Sequence, residues 1–328
     1  VRYFVALVLA AALGLGIGAY AWVTSPLELS SASLDLSIEP GSNPREVALQ
    51  VQQAGVAVNP GLLYWWFRLS GQARQIKAGS YELERGTTPR DLLSKLVRGE
   101  EALRSVTLVE GWNLRQLREA LKKADQLKPL TADLTSEELM LQVGKPGLPA
   151  EGRFFPDTYT YAKGSTDLAL LQRAARAMDK KLEAAWAQRA PESPLQSPEQ
   201  ALILASIVEK ETGRASDRPL IAAVFSNRLR IGMRLQTDPT VIYGLGPLFD
   251  GNLRRADLLA DTAWNTYTRN GLPPTPIAMP GFGALLAAVQ PAQSKALYFV
   301  ARGDGTSQFS ASLDEHNRAV NRYQRSQQ

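Results

Sequence analysis

Cysteine is absent from this chain of 328 residues, and histidine occurs once, at His316. The first absence excludes disulfides, thiolate metal sites and a cysteine nucleophile. The second leaves no multi-histidine zinc site within one chain, and any histidine-based triad would have to rest on His316. Long Lys/Arg tracts are also missing, although the net charge is +5 and the pI ≈ 9.4. The charge is dispersed, so it leaves no nucleic-acid footprint. A solvated surface, a lipid headgroup or an anionic wall polymer suits it better. Internal repeats, low-complexity segments and a Gly-rich phosphate loop are not apparent.

Charge is missing altogether between Arg2 and Glu28. Within that gap, Tyr3 to Val23 matches the ~20 apolar residues that span a bilayer as a helix. Tyr3, Tyr20 and Trp22 sit near its ends, where aromatic rings favour the interface. Arg2 before the span sets an N-in, C-out orientation. Ala19-Tyr20-Ala21 resembles a signal-peptidase site, but the apolar run exceeds the usual signal core, so an uncleaved anchor is expected. Membrane lipid is then one partner, and the bulk of the chain lies on the outer side of the cytoplasmic membrane, after a single pass.

Four parts follow in order: an anchor over 1–24, a Ser/Pro tether over 25–33, a small module over 34–102 and a larger domain over 103–328. In the module, Leu34 to Glu39 alternates as a strand does. Asn43-Pro44 and Asn59-Pro60 each open a helix with a cap and a proline at the first helical position. Ala78 to Leu83 reads as a return strand, and Thr88-Pro89 opens another helix that ends near Gly99. The larger domain alternates in the same way: a strand over 104–109, helices over 113–123, 167–189, 218–230, 284–289 and 312–325, and a strand over 296–301. The fold class is α+β in both. Gly271 to Phe282, with four prolines, is expected to be a stiff loop.

One helix stands out. Ala201 to Val208 is an apolar run that delivers Glu209 and Glu211 at its end, with Gly213 and Pro219 just beyond. A carboxyl group on an apolar helix loses hydration, and its pKa rises until it can act as a general acid near neutral pH. Two ordinary polar residues closing a core helix would look the same in this stretch.

Longer blocks break that tie. Glu151-Gly-Arg-Phe-Phe-Pro-Asp-Thr-Tyr159 and Ala205-Ser-Ile-Val-Glu-Lys-Glu-Thr212 resemble the endolytic murein transglycosylases (YceG-like). So do Val224-Phe-Ser-Asn-Arg-Leu229, Met233-Arg-Leu-Gln-Thr-Asp-Pro-Thr-Val-Ile-Tyr243, Asn265-Thr-Tyr267, Gly271-Leu-Pro-Pro-Thr-Pro-Ile277 and Glu315-His-Asn317. The likeness covers essentially the whole chain, with 34–102 resembling a LysM domain. It implies a membrane-anchored lyase that cuts nascent glycan strands between N-acetylmuramic acid and N-acetylglucosamine, leaves 1,6-anhydromuramoyl ends and so terminates strand elongation. The catalytic glutamate of the family corresponds to Glu209. No metal or cofactor is implied. Peptidoglycan strands are the substrate, and peptidoglycan synthases are candidate partners.

One glutamate can suffice for that chemistry, unlike the carboxylate pair of most glycosidases. Sugar sites also need donors, acceptors and aromatic faces, and Glu151, Asn227, Arg228, Gln236, Asp238, Tyr243, Asn265 and Tyr267 form a polar set for substrate binding. Each could equally make a structural hydrogen bond. Asp238, before Pro239, could be a turn residue, and Glu151 a loop anchor. His316 fits a structural role at the last helix, and Trp65, Trp66 and Phe67 fit either sugar stacking or core. Two other classes compete: a non-catalytic wall-binding scaffold, which gives Glu209 no task, and a pyridoxal-phosphate lyase, which needs a phosphate cradle that is not apparent.

Overall fold

The computed structural model describes residues 2–325. The chain divides into two compact units, one of residues 1–104 with 160–165 and one of 105–159 with 166–328.

The first unit begins with α1 (Arg2–Thr24), apolar and long enough to cross a membrane, and exposed except near its C-terminal end. Then come β1 (Glu28–Leu29), β2 (Ser33–Ile38), α2 (Pro44–Gln53), β3 (Val56–Ala57), α3 (Pro60–Leu69), β4 (Gly79–Glu84) and α4 (Pro89–Arg98). β2 and β4 pair antiparallel with Leu36 opposite Tyr81, and β1 pairs with β3. Leu34, Leu36 and Ile38 alternate inward, as their spacing predicts, against Val47, Val51, Leu63, Phe67, Leu92 and Leu96. Asn43, Asn59 and Thr88 cap their helices through side-chain oxygens, and a proline follows each. The expected tether is partly ordered into the unit, since Leu27 is buried and β1 is paired.

The chain continues through β5 (Leu103–Thr107), α5 (Leu114–Lys123), α6 (Ser136–Val143), β6 (Thr158–Ala162), α7 (Asp167–Trp186), α8 (Pro198–Glu211), α9 (Arg218–Arg230), α10 (Asp238–Leu245), α11 (Arg255–Leu259), α12 (Phe282–Val289), β7 (Tyr298–Ala301), β8 (Ser307–Ser310) and α13 (Leu313–Val320), with a π-turn over Asn321–Arg325. β5 pairs with β6, and the boundary between units passes through both strands. The core of the second unit is helical. α8 and α12 pack on each other and on α7 and α9, around Ala201, Leu204, Ala205, Val208, Phe225, Leu285 and Ala288. The small residues facing across α8 and α12 allow this close approach. α8 is buried along Ala201 to Val208, which leaves its polar C-terminal turn as the part that can meet substrate.

Candidate active site

Glu209 ends the apolar run of α8, with its side chain 5% exposed. Each carboxylate oxygen has one donor. Oε1 accepts from Arg218 Nη2 at 3.1 Å, and Oε2 accepts from the Gly281 amide at 2.9 Å. Arg218 is the first residue of α9, and Gly281 caps α12. The second carboxylate near Arg218 is Glu110, whose Oε2 lies 3.6 Å from the same Nη2. The Glu110-Gly111-Trp112 turn is held by backbone: Gly111 N–H donates to Met279 O at 2.9 Å, and Met279 N–H to Trp112 O at 2.7 Å. A β-carbon at position 281 would stand 1.9 Å from Glu110 Oε1, so a side chain there would have to displace the flexible Glu110 carboxylate from its place beside Arg218.

Burial raises the Glu209 pKa above the ordinary glutamate value. The Gly281 amide and Arg218 pull against that shift, and Glu110 adds to it. The carboxyl is thus prepared for both protonation states: desolvation favours the acid, and two donors receive the carboxylate once the proton has left.

A groove of about 720 Å³ lies beside it. Gly111 and Lys210, the neighbours of Glu209, are in its lining, with Asn113, Leu114, Glu151, Tyr243 and Trp264. Glu209 itself is not in the lining, but a β-carbon at position 111 would be 3.9 Å from its Cγ. The Tyr243 and Trp264 rings meet edge to face at 5.5 Å, and the Trp264 indole N–H donates to Thr275 Oγ1 at 2.9 Å. Such faces suit the apolar side of a sugar ring.

Glu151 is the carboxyl that lines this groove. It accepts the Leu114 amide at the start of α5, at 3.1 Å to each oxygen, and the Tyr243 hydroxyl at 3.2 Å. Burial outweighs these donors and lifts its pKa to about 7. A carboxyl whose folded pKa exceeds its unfolded one binds its proton more tightly when folded. Its contribution is therefore complete below about 4.5 and is lost as pH rises to about 7. That shift corresponds to ~3 kcal/mol. Urea titrations at pH 5 and pH 8 should show most of this loss in the wild type and a smaller loss in Glu151→Gln, where only Glu209 and Glu211, whose pKa values burial also raises, still contribute in that direction. Equal losses in both would show that Glu151 does not carry the shift.

The remaining members of the polar set do not meet at one place. Arg228, Gln236, Asp238 and Tyr267 line a second groove of about 650 Å³, together with Glu211 and His316. Tyr267 O–H donates to Asp238 Oδ1 at 2.6 Å, and Thr237 O–H donates to Glu211, whose pKa burial raises. Asp238 opens α10 with Pro239 following, rather than sitting in a turn outside a helix. Arg228 is committed to backbone, donating to Leu297 O and Leu235 O at 2.7 Å each. Asn227 donates to Ser294 O and Ala296 O, and the fully buried Asn265 ties Asp257, Leu258 and Ala260 by their carbonyls. Both side-chain amides are spent on backbone carbonyls. His316 lies within α13, stacked on Tyr298 at 5.2 Å, and burial and Arg228 lower its pKa. In the first unit, Phe67 is core, Trp66 is half-buried and Trp65 is exposed.

Sequence reasoning missed the groups around Glu209: Arg218 and Gly281, which hold it, and Glu110, which competes for Arg218. One signal was present. Arg218 puts a cation on the first turn of a helix, where the macrodipole disfavours it, so a nearby carboxylate was to be sought.

The YceG-like family matches residues 36–322. The chain is 31% identical to the endolytic murein transglycosylase of Bacillus subtilis over 90% of its own length and 86% of that protein. It is 28% identical to the endolytic murein transglycosylase of Streptococcus pneumoniae, spanning 90% of this chain but only 59% of that longer protein. A crystal structure of a YceG-like protein from Listeria monocytogenes superposes with a TM-score of 0.54 at 29% identity, covering 88% of this chain and 99% of that one. With the match extending from β2 to the end of α13, the chain belongs to the YceG-like family.

Proposed function

We propose that this protein is an endolytic peptidoglycan lytic transglycosylase in which Glu209 serves as both acid and base. The observation that carries the reading is a carboxyl 5% exposed at the end of an apolar helix, with each oxygen held by one donor, next to a groove lined by aromatic rings. Protonated Glu209 gives its proton to the glycosidic oxygen between N-acetylmuramic acid and N-acetylglucosamine. The C1–O bond breaks, and its electron pair leaves with that oxygen. Arg218 and the Gly281 amide steady the resulting carboxylate. The carboxylate then takes the proton of the muramoyl C6 hydroxyl as O6 attacks C1, which closes the 1,6-anhydro ring. The substrate's acetamido group is suited to steady the cationic centre. Glycan strands are the substrate, α1 is the anchor in the cytoplasmic membrane, and the enzyme acts on the outer side. Peptidoglycan synthases, which supply the nascent strand, are the protein partners that fit. The order β2–α2–β3–α3–β4, in which the two-residue β3 pairs outside the β2–β4 sheet, leaves a strand–helix–helix–strand frame that supports a LysM-like module over 34–102.

In a second reading Glu151 is the acid. It lines the groove directly, and its pKa of about 7 suits a donor at neutral pH. The pH profile separates the two. The acid form starts the reaction, so kcat/KM should stay level at low pH and fall as pH rises through the pKa of the donor. Arg218 holds the Glu209 pKa down, so Arg218→Met should move the falling limb to higher pH and leave a lower plateau. His316→Gln should leave the limb in place, since His316 lies in the other groove. A limb that vanishes with His316→Gln would make the histidine the donor. A limb that vanishes with Glu151→Gln and stays in place in Arg218→Met would favour Glu151.

A further inference from the structure

α3 carries an apolar face that nothing in its own unit covers. Leu62, Trp65 and Leu69 stand at i, i+3 and i+7 and are 54%, 58% and 80% exposed, while Leu63 and Phe67 on the other side are fully buried. Leu49 of α2, also exposed, borders with Trp65 a hollow of about 200 Å³ that takes in Arg45 and Tyr64. Single exposed apolar side chains are ordinary, so the stripe by itself does not say what it meets.

Its position relative to the end of α1 does. Val23 is buried, Trp22 packs against the core of the first unit, and Ser25 N–H bonds back to Trp22 O. Leu27 is buried, and its amide donates to Thr87 O at 2.8 Å. Two residues beyond Thr87, the carbonyl of Pro89 accepts the Trp66 indole N–H of α3 at 3.2 Å. The segment from Thr87 to Pro89 therefore bonds both to Leu27, three residues past the end of α1, and to Trp66 of α3, and an extended stretch of three residues spans at most ~10 Å. The polar layer of a bilayer face is itself ~5–7 Å deep. An anchored α1 thus keeps α3 close to the headgroup layer. Arg68 is exposed on α3, and the Arg45 guanidinium lies 5.4 Å from the Tyr64 ring centre, so cations flank the aromatic residues as they do in interfacial helices.

We propose that the Leu62, Trp65 and Leu69 face of α3 lies in the lipid interface, giving the small unit its own contact with the membrane surface. This rests on the anchoring of α1 proposed above. Lipid is favoured over glycan because aliphatic side chains flank Trp65 on this face, where a sugar would need hydrogen-bonding partners.

The lack of cysteine makes the test direct. The full chain, with Leu13→Cys or Leu69→Cys labelled with an environment-sensitive fluorophore, is reconstituted in phosphatidylglycerol–phosphatidylethanolamine vesicles with or without nitroxide-bearing lipid. Emission from both positions should shift to the blue and be quenched by the nitroxide. In a chain that also carries Leu62→Glu and Trp65→Glu, position 69 should lose shift and quenching while position 13 keeps them, which assigns the effect to the face and not to the label. Quenching at 13 without quenching at 69 overturns the inference and leaves the anchor standing. Quenching at neither overturns the anchor and this inference with it. A response at 69 to added glycan strands, with none to nitroxide lipid, overturns it in favour of a sugar-binding face.

Discussion

Glu209→Gln should lower the formation of anhydro-ended product by a factor of roughly a hundred or more, the loss that accompanies removal of a general acid. Glutamine keeps the shape of the side chain, and its one carbonyl oxygen can accept from Arg218 or from the Gly281 amide but not from both, so the fold should be retained at the cost of one hydrogen bond. The thermal transition should move little, or rise, because a buried group with a raised pKa is replaced by a neutral one. Turnover on uncrosslinked glycan strands, followed beside circular dichroism, checks both halves. Wild-type turnover in the variant would shift the acid to Glu151, the other buried carboxyl beside the groove with a raised pKa.

Gly152→Ala should be the most damaging single-methyl change near the site. Gly152 has φ +78°, where an L side chain is strained, and a β-carbon there would stand 2.5 Å from Pro276 Cβ and 2.7 Å from Pro276 Cγ. A proline ring cannot swing aside as the end of a flexible chain can. Backbone strain and overpacking together should cost about 2–4 kcal/mol. For a unit of this size that lowers the Tm by roughly 5–15 °C. Activity should fall as well, since the change acts next to Glu151 and on the loop that leads to Gly281. Gly147→Ala is the matched control. Its φ is +79°, but nothing lies within 4 Å of the added carbon, so only the backbone cost of about 1 kcal/mol should remain. Equal losses in both variants would remove Pro276 from the explanation.

The parts of the fold legible in the sequence are those where a local rule and the tertiary structure agree. Asn43-Pro44, Asn59-Pro60 and Thr88-Pro89 start helices because cap and proline act within one turn, and each start was placed to the residue. The β2 alternation faces one core, so its period of two survives. α6 was missed although Thr135 and Glu138 form a capping box, a signal present in the sequence and unused. α10 was missed for another reason. Its Val241, Ile242 and Tyr243 favour strands, and packing against α8 overrides that preference. β6 and β8 depend on partners, and only pairing with β5 and β7 turns those short segments into strands.

The site divides along the same line. The apolar run of α8 marks Glu209 and Glu211 alike, and it is the resemblance in the longer blocks, not the run, that singles out Glu209. Arg218, Glu110 and Gly281 come from three other segments, and no spacing in the chain announces that they converge. The polar set separated into two grooves and a structural remainder for that reason: residues close in sequence, such as Arg228 and Asn227, point into different surroundings.

Glycan strands should be broken by an internal transfer to O6 and not by water. Incubating the full chain, in detergent, with uncrosslinked glycan strands and weighing the products by mass spectrometry tests it most directly. The expected products are internal fragments whose muramoyl ends are one water lighter than reducing ends, formed without added metal or cofactor and lost in Glu209→Gln. Fragments with ordinary reducing ends would make the enzyme a hydrolase, and intact strands that only bind would make it a scaffold; either result would rule out the transfer to O6.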